Sequence, residues 1–148
     1  MTAEMASTWK NLACMTAAMT AVLLLATACA SRQQSDRRTE TLDRYEALVR
    51  WNQFDSLPDF MHPDWLEQNP VTPLDIERLK QFRVSQYRVR QVMSLPDDEG
   101  FDRLVELRLY HLHTARERVV EYVEAWRWDP ERERWMLHSG LPDVTRAR

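Results

Sequence analysis

The chain has 148 residues, the length of about one domain, and 20 Lys and Arg against 23 Asp and Glu give a formal charge of −3. That balance excludes the basic excess a nucleic-acid surface needs, and only two glycines exclude a glycine-rich phosphate loop. Hydrophobic residues at 44% and charged residues at 29% describe a globular domain rather than a disordered chain.

Residues 1–30 differ in kind from the rest. A short basic region ends at Lys10, Leu12 to Ala28 is uncharged, and its most apolar stretch, Ala21 to Ala26, precedes Thr27-Ala28-Cys29-Ala30. A basic start, an apolar core and small residues at the end describe a secretory signal. Leu25-Ala26-Thr27-Ala28-Cys29 resembles a bacterial lipobox, with Ala26 where such boxes usually carry Leu. The resemblance implies cleavage before Cys29 and acylation of its thiol, and Ala30 after the cysteine implies sorting to the outer membrane. Two other outcomes stay open. Ala26-Thr27-Ala28 also satisfies the A-x-A cleavage rule of a soluble periplasmic product. Leu12 to Ala30 is just long enough to span a bilayer uncleaved, although Arg32, Arg37 and Arg38 beyond it oppose an N-in orientation. Removing residues 1–28 leaves 120 residues and one thiol, so neither a disulfide nor a cysteine-based zinc site or nucleophile is expected.

Ser31 to Thr39 is polar and reads as a tether. Glu40 to Gln53 carries Leu42, Tyr45, Leu48, Val49 and Asn52 at helical spacing, with Thr39 or Thr41 as N-cap. Phe54 to Asn69 reads as short helical pieces broken at Pro58 and Pro63, and Leu74 to Lys80 as one or two more turns. From Phe82 the period becomes two, with a phase slip near Ser85-Gln86 that predicts a bulge. Pro96 to Gly100 is a turn, Leu104–His113 and Val119–Trp128 alternate, Asp129 to Arg134 is a polar hairpin loop, and Trp135–Leu141 is the last strand. Helices followed by a four-strand meander predict an α+β domain over 40–143, with a tail at 144–148.

Pairing Trp128 with Trp135 sets Trp126 opposite Leu137 and Glu124 opposite Ser139. Pairing His113 with Arg118 sets Leu107 opposite Glu124 and Val105 opposite Trp126. Both place Val105, Leu107, Leu109, Val120, Tyr122, Trp126, Trp128, Trp135 and Leu137 on one face, which the leading helix must cover.

A leading helix, a Pro-broken stretch and a meander ending Trp126-Arg127-Trp128 and Arg134-Trp135-Met136-Leu137 resemble the NTF2-like (cystatin-like) superfamily. The ending Trp135 to Pro142 also resembles a group of small proteobacterial lipoproteins of that shape. The resemblance implies a curved antiparallel sheet with a helix across it, and enzymes of such folds place carboxylates in the helix–sheet pocket.

The candidate pocket is Glu124 with Tyr122, Trp126, Leu107 and Ser139. A carboxylate among aromatics is desolvated and could serve as a general acid or base. With no second catalytic group beside it, an ion pair to Arg44 or Arg50 of the covering helix is the expected arrangement, and no catalytic residue is assigned. His111 and His113 share a strand face and could chelate a metal only if a third ligand converged. They are expected at the wet end of the sheet, with no metal or cofactor. Tryptophans 51, 65, 126, 128 and 135 could form a platform for a sugar or apolar ligand, but core packing accounts for them. The outer sheet face carries Leu104, Tyr110, Leu112, Val119, Val123 and Met136, more apolar than a free face needs, which suggests an envelope protein partner or a homodimer. The expected function is a non-catalytic, protein-binding or scaffolding lipoprotein domain, with a small apolar ligand module or an enzyme using Glu124 as alternatives.

Overall fold

A computed structural model of the chain describes residues 32–96 and 100–144. The signal segment, Cys29, most of the Pro96–Gly100 turn and the C-terminal tail beyond Val144 lie outside the described residues. The chain divides into two compact units, residues 1–37 and 38–148. Of the first, 32–37 are described, and they are helical.

In the second unit residues 38–50 form helix α1. Thr39 and Thr41, expected as caps, therefore lie inside helical backbone. Arg and Gln are good helix formers and need no apolar partner, so a lack of hydrophobic periodicity hid this turn. The end also differs, because helical backbone stops at Arg50 rather than Gln53. Asn52 takes a left-handed φ of 61°, and the Asn52 and Gln53 N–H groups donate to the carbonyls of Val49 and Leu48. This is a Schellman stop with Asn in the position that glycine usually fills. It frees the Asn52 side chain to accept from the Val84 N–H at 2.9 Å, tying the helix end to the first strand.

A 3-10 helix, Phe54–Phe60, and two short helices, α2 (Pro63–Gln68) and α3 (Pro73–Lys80), follow as the prolines predict. Proline opens α2 and α3, where a missing N–H costs nothing, and Thr72 and Asp75 close a reciprocal capping box on α3.

Strands β1 (Phe82–Ser94), β2 (Gly100–His111), β3 (Glu117–Asp129) and β4 (Arg134–Leu137) pair in sequence order as one antiparallel sheet. Helices packed with this open sheet make the fold α+β. The bulge expected near Ser85 is present, and a second falls between Val89 and Gln91. Gly100 opens β2 where a Cβ would stand 2.6 Å from the Trp126 carbonyl oxygen, so this approach of β2 to β3 requires glycine. The last strand is shorter than expected. After Leu137 the Ser139 hydroxyl, rather than backbone, accepts from the Ala125 N–H, while Leu137 bridges in parallel to Met61.

Trp128 opposes Trp135 and Trp126 opposes Leu137, as the sequence predicts. The β2–β3 register does not follow the prediction. Leu107 opposes Val120, and Glu124 opposes Arg103. The hairpin turns earlier than expected: His111 N–H closes on the Arg116 carbonyl at 3.0 Å and Ala115 takes a positive φ of 51°. The displacement is four residues, an even number, so every side chain keeps its face. The expected core therefore survives the error. Val105, Leu107, Leu109, Val120, Trp126, Trp135 and Leu137 are buried, with Tyr122 and Trp128 partly buried beside them. Tyr45 and Val49 of α1 cover that face, and the Tyr45, Phe60 and Trp126 rings meet edge-on at 5.2–6.4 Å between centroids.

On the outer face Tyr110, Leu112 and Val123 are exposed and Leu104 and Val119 half-buried. Met136, expected to be exposed with them, is fully buried. Glu106 is buried beneath an ion pair with Arg90, and Arg127 pairs with Asp102 at 2.8 Å.

Candidate functional site

Glu124 lies mid-strand on the covered face and is 0% exposed. Its Oε1 accepts from the Tyr87 hydroxyl at 2.6 Å and the Tyr122 hydroxyl at 2.7 Å. Its Oε2 accepts from Arg103 Nε at 2.9 Å and Nη2 at 2.5 Å, and from Trp126 Nε1 at 3.0 Å. Arg103 Nη2 also donates to the Tyr87 oxygen at 2.6 Å. Every neighbour is a donor and both carboxylate oxygens are filled, the condition under which a buried charge is tolerated.

The tyrosines remain protonated donors. Burial, then the Glu124 charge, pushes the Tyr87 hydroxyl far above its ordinary value. Burial also raises Tyr122, helped by Tyr45 and Glu124 beside it. Burial works against the Arg103 charge, yet Glu124 and the Tyr87 and Tyr122 oxygens outweigh it and hold the guanidinium above its usual range.

The arrangement is the expected ion pair with a different arginine. Arg44 instead lies over the Phe60 ring and Arg50 reaches Glu46 at 3.6 Å. Of the predicted pocket, Tyr122 and Trp126 do bond to Glu124. Leu107 is displaced by the register, and Ser139 bonds to Ala125. Arg103 and Tyr87 were missed. Arg103 falls on the alternation Phe101, Arg103, Val105, which was legible only by starting the strand at Gly100 rather than Leu104. Tyr45 sits beside Tyr122 in the same cluster, but its buried hydroxyl makes no well-formed hydrogen bond to that neighbour or to any other group among the described residues.

His111 and His113 stand at the wet end of β2 with ring centroids 5.6 Å apart, and no group of three metal-ligating side chains occurs among the described residues. His138 stacks instead on His62 at 4.5 Å, and His62 Nε2 lies 3.6 Å from the buried Asp129. Asp129 closes the β3–β4 turn: it accepts from the Glu131 and Arg132 N–H groups and from the Arg132 guanidinium at 2.8 Å. The Arg132 bonds hold its carboxyl below the ordinary range. Burial, then the neighbouring His62 and Arg127, lowers His138.

The tryptophans do not make one platform. Trp126 and Trp135 are core and Trp128 packs on Trp135 at 5.8 Å, while Trp51 is 77% exposed at the end of α1. A cavity of about 390 Å³ lies away from Glu124, among Trp65, Val71, Leu79 and Leu141. No described helix is long and apolar enough to cross a membrane.

No protein-family model matches the chain, and no curated protein or solved structure shows significant similarity to it.

Proposed function

We propose that this chain is a lipoprotein of the bacterial envelope, anchored through Cys29 to the periplasmic face of the outer membrane. Its NTF2-like domain binds or scaffolds a protein and performs no catalysis. The observation that carries the non-catalytic reading is the saturation of Glu124. A general acid or base needs a lone pair or proton aimed at substrate. Here each oxygen is engaged inside the protein, and the Tyr45, Phe60 and Trp126 rings fill the space between helix and sheet. A leading helix laid across a meander agrees with the NTF2-like form. The exposed Tyr110, Leu112 and Val123 on the outer face supply apolar area for an envelope partner or a second copy.

The anchoring half rests on the small residues before Cys29 and is tested directly. Cys29→Ser should move the protein from the membrane fraction to the soluble periplasm. A variant that stays with the membrane removes the lipoprotein reading and favours an uncleaved span. Affinity purification from membranes, repeated with Val123→Asp on the outer face, tests the binding half. A partner retained equally by that variant places the interface elsewhere.

A further inference from the structure

The ladders set the outer-face residues in rows across the sheet. In one row Arg83 of β1 opposes Tyr110 of β2, which opposes Glu117 of β3. In another, Arg88 opposes Glu106, which opposes Glu121. Residues paired across a ladder share a face, so each of these rows begins with an exposed arginine on β1 and ends with an exposed glutamate on β3. Apolar surface lies among them: Tyr110 and Val123 are exposed, Leu104 and Val119 half-buried. The charges of the middle strand already have partners within the sheet. Glu106 accepts from Arg90 Nε at 3.0 Å, and Arg108 Nη1 lies 3.4 Å from Glu117.

Positive charge along one side, negative charge along the other and apolar side chains between them make this face complementary to itself under one operation. A two-fold axis parallel to β2 lays a second copy face to face, with β1 of each over β3 of the other, and holds each row close to its own level. Arg83 then meets Glu117 of the second copy, Arg88 meets Glu121, and the apolar side chains meet along the axis. Every contact is made twice, as an isologous interface requires. An axis across the strands instead sets β1 on β1, arginine on arginine, where like charges oppose binding. Two sheets stacked with nearly aligned strands, about 10 Å apart, have the geometry of a β-sandwich.

We infer that the occupant of the outer face is a second copy of this chain, packed with β1 of each copy over β3 of the other. The inference rests on the reading of that face as a binding surface, commits it to one partner, and does not depend on anchoring at Cys29.

Two full-length copies with different C-terminal tags, expressed together and extracted from whichever fraction holds them, test it by capture through one tag. Wild-type copies should capture one another. Arg83→Glu in both copies sets glutamate over glutamate at two symmetric places, and Glu117→Arg in both sets arginine over arginine. Each should cut capture about tenfold or more. Arg83→Glu in one copy and Glu117→Arg in the other restores opposite charges at both places, so capture should return to near the wild-type level. Both positions are exposed, and each variant alone should keep the wild-type urea midpoint. Wild-type copies that fail to capture one another overturn the inference. So does a mixed pair no better than either variant paired with itself, or capture that neither variant lowers. Val123→Asp judges the binding-surface reading separately. If the copies do not associate but a different protein is held by wild type and lost with that variant, the reading stands and the inference alone falls.

Discussion

Replacing Glu124 by Gln removes one charge and changes almost no volume, so its effect isolates electrostatics. In the native cluster the carboxylate accepts five hydrogen bonds from Tyr87, Tyr122, Arg103 and Trp126. An amide has one oxygen and one NH₂. Whichever way it is turned, its two N–H donors face side chains that can only donate or prefer to. Turned with nitrogen toward Arg103, it sets N–H against guanidinium and indole. Turned toward the tyrosines, both hydroxyls must rotate, and the Tyr87 oxygen already accepts from Arg103. In either case the Arg103 cation, 6% exposed, loses its counter-charge. Breaking a buried pair from one side costs about 3–5 kcal/mol. For a domain near this size that is a fall in melting temperature of roughly 10–20 °C. Thermal unfolding followed by circular dichroism measures it. Pairing Glu124→Leu with Arg103→Met should recover much of the loss, because removing both charges leaves none buried alone. A Glu124→Gln protein that melts within about 2 °C of wild type would refute this account of the cluster. It would also reopen an acid–base role for the residue.

Tyr45→Phe removes a fully buried hydroxyl that makes no well-formed hydrogen bond among the described residues, so stability should stay within about 0.5 kcal/mol of wild type or rise by up to about 1 kcal/mol in urea unfolding. A clear loss would mean that this hydroxyl is satisfied in solution. The stacked His138 is held below its ordinary value of 6.5, so in the pH range just below that value the unfolded chain binds the extra proton. Stability should therefore be complete above about pH 6.5 and decline as pH falls below it, and His138→Gln should flatten that part of the pH–stability curve. A wild-type curve already flat between about pH 7.5 and 5.5 would contradict the placement of the ring.

Elements with a period were legible in the residues. The alternation in β2 and β3 defined the buried face, and the Asp129–Arg134 loop fixed the Trp128–Trp135 pair. The prolines marked the short helices. What failed were stretches where polar residues obey the same geometry. The helical turn around Thr39 carries no apolar stripe, and the first four residues of β2 include Asp102 and Arg103, which fall between the turn read at Pro96–Gly100 and the strand read from Leu104. That second omission hid the partner of Glu124. A buried arginine has no signature in hydropathy, since only the residue across the ladder explains its presence. The hairpin at Thr114 depended on a left-handed Ala115, a conformation that neither Gly nor Asn announced. Tyr87 reaches Glu124 from β1, two strands away, a distance beyond any local pattern.

Strand β1 runs for 13 residues along the rim of the sheet, and only β2 pairs with it among the described residues. A rim of that length is a template on which another chain could polymerise. Its three arginines, Arg83, Arg88 and Arg90, come without a single acid on the strand, and two bulges interrupt its hydrogen-bonding row. Like strands approaching it meet repulsion and a broken register. By the same reasoning, neutralising Arg83 and Arg88, with Arg90 kept on the buried Glu106, would leave the native fold nearly untouched and yet turn a dispersed protein into one that precipitates.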